Sequence, residues 1–330
     1  MSNPIKNSIF KELFEDRSIF YDFLKAFLPK EIIQQIKETN LKREQTELIN
    51  NDFSTKRSDI LYKIEKENGE DVYIYLLLEH QSKVDQLMAF RMLAYKVRIW
   101  EQYVKNHKKE SEHKGFKLPV ILGIVFYDGE AKWTSARDVK DKITKIKNME
   151  EYLIKADYEL ISLNNIKEET LINMKNALGI ILLTDKPNIR VKSIEELLKI
   201  IREEIIPNLP KGEQEKFKKH RNAFIELFKK KTGYKEIERY KELEKMEVPS
   251  MFDTLEKIAK RDREEAKLEG KIEERGRFIE FIIKNLNKRF GNRLTEEIKG
   301  KIRKADEKTI DYIGDNLLEI TIEELKELLK

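Results

Sequence analysis

The chain has 330 residues with 66 basic and 61 acidic side chains, so its net charge of +5 does not by itself indicate a nucleic-acid binder. It contains no cysteine, which excludes disulfides, thiolate metal sites and cysteine nucleophiles. No stretch approaches the roughly 20 apolar residues of a membrane span, and the N-terminal segment lacks the apolar core of a signal peptide. We therefore expect a cytoplasmic protein with no membrane partner.

The N-terminal part of the sequence predicts helices first and then a β-hairpin. Residues 7–28 carry apolar side chains at spacings of three and four, which predicts one or two amphipathic helices that stop at Pro29. The segment from Arg57 to Ser82 then changes to a period of two, with Asn68-Gly69 as a tight turn. This pattern predicts a β-hairpin whose second strand runs from Val72 to Glu79.

The next segment, residues 85–107, predicts a long helix, and two apolar segments follow it. Residues 118–129, "LPVILGIVFYDG", and residues 158–163, "YELISL", predict two further buried strands. Strand, strand, helix, strand and strand in this order indicate an α/β domain with a central sheet covered on both faces.

Beyond about residue 167 the pattern is helical, and the composition suggests two parts. We expect an α/β domain with a helical extension over residues 1–245, and a long charged helix with a small helical module over residues 246–330. In the module, Gly291 ends a helix, Thr295 is a helix cap, and Thr321 with Glu324 forms a capping box. The long charged helix makes a homodimer through this C-terminal region a further expectation.

Two carboxylates flank the predicted hairpin. Counting outward from its turn pairs Asp59 near residue 78, within a residue or two, so Asp59 and Glu79 are expected side by side at one edge. Two carboxylates so close repel each other unless a positive group lies between them. Mg²⁺, or Mn²⁺, suits such a site because it takes oxygen ligands and keeps waters and phosphate oxygens in its other positions. The backbone carbonyl of His80 would face the same site, and Gln81 would share the face of Glu79.

A second interpretation of the pair is that Asp59 and Glu79 are solvated charges that pair with Arg57 or Lys63. Spacing alone leaves both interpretations open. The uninterrupted run of Leu76, Leu77 and Leu78 favours the metal site, because a charge at the end of a buried strand is costly unless it is paired or bound to a cation.

The strings "SDILYKIEKENGEDVYIYLLLEHQSKVDQLMAFRMLAYKVRIWEQY" and "LPVILGIVFYDGEAKW" resemble the Rpn family of recombination-promoting nucleases, also described as YhgA-like putative transposases. The resemblance covers about residues 5 to 240 and is strongest from Ser58 to Tyr103. It implies a PD-(D/E)XK restriction-endonuclease-like core, with a mixed sheet between helices, and metal-dependent cleavage of DNA phosphodiesters. The C-terminal residues are similar to a small helical module of unknown function that is often appended to such proteins.

The resemblance also implies roles for single residues. The family's catalytic aspartate falls on Asp59, the glutamate of its Glu-x-Gln motif on Glu79, and the glutamine on Gln81. Gln81 stands where the superfamily usually has lysine, so it can orient water but cannot supply a positive charge. Family members often have an aspartate before the "FK" of the first helix, where this chain reads "NSIFK". Glu12 or Glu15 is the alternative acid from that helix.

Two basic surfaces are candidates for DNA contact. On the predicted helix after the motif, a polar stripe recurs at steps of three and four: Arg91, Tyr95, Arg98, Gln102 and Lys105. It suits a phosphate backbone, and it equally suits a solvated face. A denser basic cluster comprises Lys216, Lys218, Lys219, His220, Arg221, Lys229, Lys230 and Lys231, for which the alternative is favourable placement of cations near a helix C-terminus.

The sequence thus predicts a Mg²⁺-dependent DNA endonuclease associated with recombination or mobile elements. The alternative is a nuclease-like DNA-binding or assembly protein that has lost cleavage. The unusual Gln81 and the missing acid near Ser8 favour that alternative.

Overall fold

The computed structural model describes residues 4–44, 60–65, 72–79, 84–189, 194–232, 242–243 and 245–330. Only the main chain is described for Pro4, Ile5, Asn7, Leu78, Glu79, Thr232, Asp262 and Ala266. The chain divides into two compact units, residues 1–256 and residues 257–330. In the described ranges, none of the helices combines the length and apolar composition needed to cross a bilayer.

The N-terminal segment forms two helices, α1 (Pro4–Glu15) and α2 (Arg17–Phe27), followed by one turn, α3 (Lys30–Ile33). They are separate because Asp16 adopts an extended conformation and its side chain accepts hydrogen bonds from the amides of Ser18 and Ile19. This is the geometry of a helix N-cap, which satisfies amides that have no partner inside the helix. The predicted pair of amphipathic helices ending before Pro29 is confirmed.

The first unit is built on a sheet of five strands in the order β1-β2-β3-β4-β5. The strands are β1 (Leu41–Glu44), β2 (Ile60–Ile64), β3 (Val72–Glu79), β4 (Val120–Tyr127) and β5 (Glu159–Ser162). The first three are antiparallel neighbours, whereas β3, β4 and β5 run parallel. A helix, α4 (Met88–Asn106), connects β3 to β4, as a parallel pair requires.

The two faces of the sheet are covered by different helices. On the first face, Phe10 of α1 packs on Phe126 with ring centroids 5.3 Å apart, and Phe20 of α2 stacks on Tyr62 at 4.3 Å. On the second face, side chains of α4 such as Met92 join one buried cluster with strand residues. The apolar strands are therefore buried on both sides, which confirms the predicted α/β class with a mixed sheet and agrees with a PD-(D/E)XK-like fold.

Helices complete the first unit after β5. They are α5 (Glu168–Asn173), α6 (Ala177–Asp185), α7 (Ile194–Ile200) and α8 (Lys211–Thr232). Every residue of α6 is buried, so this helix is an internal element rather than an amphipathic surface helix.

A 43-residue helix, α9 (Val248–Phe290), extends from the first unit into the second. The second unit adds α10 (Glu296–Lys304), α11 (Glu307–Asp315) and α12 (Ile322–Leu328) around an apolar cluster that includes Ile282 and Leu286. The predicted Thr295 cap and the Thr321–Glu324 capping box are both confirmed. Gly291 directly follows α9 with φ of +54°, as the predicted helix end requires.

Candidate active site

The carboxyl ends of the three parallel strands meet at one edge of the sheet. Glu79, the last residue of β3, pairs with Tyr127 at the end of β4, and Tyr127 in turn pairs with Ser162 at the end of β5. In open α/β sheets, ligands bind at this edge because loops and helix ends converge there. The main chain therefore brings the predicted ligand Glu79 to the edge at which a substrate would bind.

The other residues of the predicted site, Asp59, His80 and Gln81, lie outside the described residues. The strand pairing next to them is described: Ile60, which follows Asp59 in sequence, pairs with Leu76 of β3. Counting from the turn predicts residue 77 as that partner, so the observed register differs from the expectation by one residue. That difference is within the margin of the prediction.

A buried ion cluster that sequence reasoning missed adjoins this edge. Lys6 Nζ lies 3.0 Å from a carboxylate oxygen of Asp128 and 2.5 Å from one of Asp185. Both aspartate side chains are 4% exposed. Burial acts to lower the pKa of Lys6, but the two carboxylates outweigh it and leave this pKa raised. An isolated lysine near the N-terminus gives no sequence signal for such a role, because its partners lie more than a hundred residues away.

The first helix approaches the edge through Lys6 rather than through Glu15, one of the two alternative acids. Glu15 lies near Arg43, and its backbone carbonyl accepts a hydrogen bond from the hydroxyl of Tyr62 at 2.9 Å. Tyr62 pairs with Ile74, five residues before Glu79, which corresponds to about 16 Å along a strand. Glu15 is therefore distant from the carboxyl edge.

A second polar cluster lies at the start of α4. Arg91 donates a hydrogen bond from Nη1 to Asp85 at 2.7 Å, and its Nη2 lies 3.5 Å from the hydroxyl of Tyr95. The other oxygen of the Asp85 carboxylate accepts a hydrogen bond from the amide of Leu87 at 2.8 Å. The helical pattern of the sequence indicates Arg91 as a candidate but not Asp85. The spacing of an aspartate just before a helix and an arginine six residues later could have indicated the pair.

The predicted polar stripe on α4 is not continuous. Tyr95 is only 2% exposed, and its ring packs 5.0 Å from that of Tyr75 inside the cluster beneath the helix. Tyr95 is therefore a core side chain and does not present a surface to a phosphate backbone. Arg91 and Arg98 are partly exposed, and Lys105 is exposed.

The turn after β4 is fixed by aromatic packing. The ring of Trp133 lies 5.0 Å from that of Tyr127, and its Nε1 donates a hydrogen bond to the hydroxyl of Tyr158 at 3.1 Å. This arrangement holds the segment after β4 against the second face of the sheet.

The basic cluster on α8 is engaged with acidic and carbonyl groups of the same chain. Lys216 pairs with Asp22 and Glu213, and Lys218 pairs with Glu215 and Glu247. Lys219 and His220 both contact Asp16. Arg221 donates to the backbone carbonyls of Leu243 and Met246, and Lys231 donates to that of Lys186. These contacts within the chain explain the high density of basic residues on α8 without a role in DNA binding.

The metal ligands predicted from the sequence, Asp59 and the side chain of Glu79, lie outside the described residues. Within the part of the chain that the structure describes, no three histidine, aspartate or glutamate side chains lie close enough together to hold a metal ion. Asp85, Asp128 and Asp185 each bind a basic side chain. Asp59 and Glu79 remain the ligands predicted from the sequence, and carboxylate oxygens are the kind of ligand that Mg²⁺ prefers.

Comparison with known proteins identifies relatives that each match about two fifths of the chain. Recombination-promoting nuclease RpnC of Escherichia coli K12 is 31% identical over 125 residues, which are 38% of this chain and 39% of the relative. Recombination-promoting nuclease RpnA of the same strain is 33% identical over 129 residues, which are 39% of this chain and 41% of the relative. A protein named inactive recombination-promoting nuclease-like protein RpnE, also from this strain, is 29% identical over 125 residues, 38% of this chain and 39% of the relative.

The match thus spans about two fifths of the length of these curated relatives. No solved structure matches the chain significantly. The family model described as putative transposase, YhgA-like, matches residues 6–216, which is more than half of the chain and includes the whole sheet. The chain therefore belongs to the YhgA-like putative transposase family, whose relatives here include recombination-promoting nucleases.

Proposed function

We propose that this protein is a metal-dependent DNA endonuclease that hydrolyses phosphodiester bonds, with Asp59 and Glu79 as ligands of Mg²⁺ or Mn²⁺. The observation that carries the proposal is the position of Glu79 at the carboxyl end of β3, beside the strand that begins one residue after Asp59. The names of the nuclease relatives support the same activity.

Each residue of the proposed site has a distinct task. Asp59 and Glu79 would hold the cation through carboxylate oxygens, and the carbonyl of His80 would be a third oxygen donor. When bound, the cation lowers the pKa of a water molecule and neutralises charge on the phosphate. Gln81 orients that water through its side-chain amide, which carries both donors and an acceptor. Attack of the water on phosphorus forms one P–O bond while the bond to the leaving oxygen breaks.

The test is cleavage of supercoiled plasmid DNA by the full chain with Mg²⁺, with Mn²⁺ and with a chelator. We expect metal-dependent nicking that falls by at least about 100-fold in Asp59→Asn and Glu79→Gln, because each change removes a ligand charge. Glu101→Gln is the matched control, since Glu101 is an exposed acid on α4. Absence of nicking in the wild type, or equal nicking in Asp59→Asn, would contradict the proposal.

Metal binding supplies a readout that does not depend on turnover. Calorimetric titration with Mn²⁺ should show binding to the wild type and to Glu101→Gln, and weaker binding to Asp59→Asn. If all three proteins bind Mn²⁺ with equal affinity, Asp59 is not a metal ligand, even if the chain cleaves DNA.

A second candidate is a nuclease-like DNA-binding protein that does not cleave. The observations that favour it are a relative named as inactive and the glutamine at position 81. In that case binding to DNA would weaken with salt, would not respond to Mg²⁺, and would not be accompanied by nicking. The plasmid assay above separates the two candidates.

A further inference from the structure

The direction of α4 determines which of its residues reach the carboxyl edge. Near its C-terminal end, the ring of Tyr103 packs 6.2 Å from that of Tyr73, and Trp100 Nε1 donates to the carbonyl of Pro119 at 2.8 Å. Tyr73 and Pro119 lie at the amino ends of β3 and β4. The helix therefore runs antiparallel to these strands, with its first turn toward their carboxyl ends.

Helix and strand geometry then sets the level of Arg91. Arg91 precedes Tyr103 by twelve residues, or about 18 Å along a helix. Glu79 follows Tyr73 by six residues, or about 20 Å along a strand. The contacts of Tyr103 with Tyr73 and of Tyr95 with Tyr75 together place the backbone of Arg91 beside the last few residues of β3.

The flank of α4 that carries Arg91 is turned toward the hairpin strands. The ring of Tyr95, on this flank, packs on Tyr75, which pairs with Leu61 of β2. The opposite flank faces β4 and the start of β5: a Cβ on Gly123 would meet Met92 Sδ at 2.7 Å, and Lys96 Nζ donates to the carbonyl of Asp157 at 2.6 Å. Arg91 therefore lies on the flank of α4 that faces β2, the strand that begins one residue after Asp59.

The guanidinium group of Arg91 is held in a fixed orientation. Asp85 binds Nη1, the hydroxyl of Tyr95 lies near Nη2, and the guanidinium carbon is 6.0 Å from the centre of the Tyr95 ring. Asp85 is itself oriented by the amide of Leu87, and Tyr95 is fixed in the core. The Arg91 side chain keeps 19% of its surface exposed, so it is accessible to a ligand although it is held.

We infer that Arg91 is a further catalytic residue, whose guanidinium contacts the scissile phosphate of DNA, and that Asp85 is its positioning residue. This inference rests on the proposed function. Gln81 brings no positive charge to the developing phosphorane, whereas arginine keeps its charge at every working pH and matches phosphate geometry. Arg98 and Lys105 follow Arg91 by seven and fourteen residues, about 10 and about 21 Å further from the edge. Of the three basic residues of the predicted stripe, only Arg91 is therefore assigned to catalysis.

The test is steady-state cleavage of a short DNA duplex with Mg²⁺ by the full chain and five variants. We expect Arg91→Ala to lower kcat by about 100-fold or more, as for loss of a donor that acts on developing charge, with KM changed by less than about 3-fold. Arg91→Lys should retain part of the activity, because it keeps the charge without the planar fork. Lys108→Ala is the matched control, since Lys108 is an exposed basic residue just after α4, and it should keep kcat within about 2-fold of the wild type.

Two readouts separate catalysis from a structural role. Added guanidinium ion should raise the rate of Arg91→Ala but not that of Asp59→Asn. Asp85→Asn should lower kcat by about 10-fold while the thermal unfolding midpoint stays near that of the wild type, because it loosens Arg91 without removing its charge.

The outcomes distinguish this inference from the proposed function. If Asp59→Asn is inactive while Arg91→Ala keeps the wild-type kcat, or loses only affinity, the inference is wrong and the nuclease assignment stands. If the wild type shows no metal-dependent cleavage, both are wrong. If Arg91→Ala does not fold, the loss of kcat in the folded Arg91→Lys variant decides the matter, and a wild-type kcat there contradicts the inference.

Discussion

The carboxylate of Asp16 lies 3.0 Å from Nε2 of His220, which is 204 residues away in sequence. The same carboxylate caps α2 and contacts Lys219, so one side chain fixes the start of one helix and joins it to α8. Burial acts to raise the pKa of Asp16, but hydrogen bonds from Lys219, His220 and the amides of Ile19 and Ser18 hold it at about 2.

We predict that Asp16 makes folding stability depend on pH in the acid range. A carboxyl group with a lowered pKa stabilises the folded state above its unfolded pKa of 3.8, and this contribution is lost as the pH falls through about 2. The difference corresponds to about 2 kcal/mol. Asp16→Asn keeps a capping side chain but removes the charge. Denaturant unfolding should show Asp16→Asn less stable than the wild type above pH 4, with the gap closing near pH 2.

Glu12→Gln is the control for that experiment, since it removes an exposed carboxylate from the neighbouring helix. The free energy of unfolding of Glu12→Gln should equal that of the wild type at each pH. If Asp16→Asn and the wild type lose stability in parallel throughout the acid range, the role of Asp16 is refuted.

Lys6→Met should destabilise the first unit by about 3–5 kcal/mol, because it removes the ammonium from between two buried carboxylates. Thermal or urea unfolding of the full chain measures this effect. Lys11→Met, on the same helix but with a weaker contact to Glu15 at 3.9 Å, should change stability by less than about 1 kcal/mol.

A triple variant checks the reason for the loss. Adding Asp128→Asn and Asp185→Asn to Lys6→Met removes the two charges that the lysine neutralises, so part of the stability should return. A triple variant less stable than Lys6→Met alone would show that the cost arises elsewhere.

Replacement of two glycines of the second unit by alanine should change its free energy of unfolding in opposite directions. Gly291 has φ of +54°, which disfavours any residue with a Cβ, so Gly291→Ala should destabilise the module by about 1 kcal/mol. Gly300 lies inside α10, and a Cβ there would meet no atom within 4 Å. Gly300→Ala should therefore stabilise the module by about 0.5–1 kcal/mol. Hydrogen exchange of the amides of α10 to α12 measures both, and equal effects would contradict the assignment.

Local patterns in the sequence were enough to predict the strand that carries Glu79 and two helix starts of the second unit. The strand from Val72 to Glu79 and the caps at Thr295 and Thr321 follow from short-range signals, namely strand periodicity and capping residues. Strand β1, "LKRE", was missed because Leu41 is its single apolar residue, and its pairing with β2 creates the strand.

Residues that act through distant partners could not be predicted in this way. Tyr95 was assigned to a polar stripe because its hydroxyl counts as polar in a helical pattern, whereas its ring belongs to the core. The lysines of α8 looked like a DNA-binding patch because their partners Asp16 and Asp22 are about two hundred residues earlier. The local density of basic residues in a sequence does not show which of them form ion pairs with distant acidic residues in the folded protein.

The long separation between Asp16 and His220 also bears on synthesis of the chain. At about 5–20 residues per second, a ribosome needs about 10–40 s to add the 204 residues between them. For part of this interval α1 and α2 have been synthesised while Phe126 and α8, on which they pack, are still to be made. The aromatic faces of the first two helices are therefore exposed early, and a chaperone that binds apolar helices would find its target in the first 28 residues.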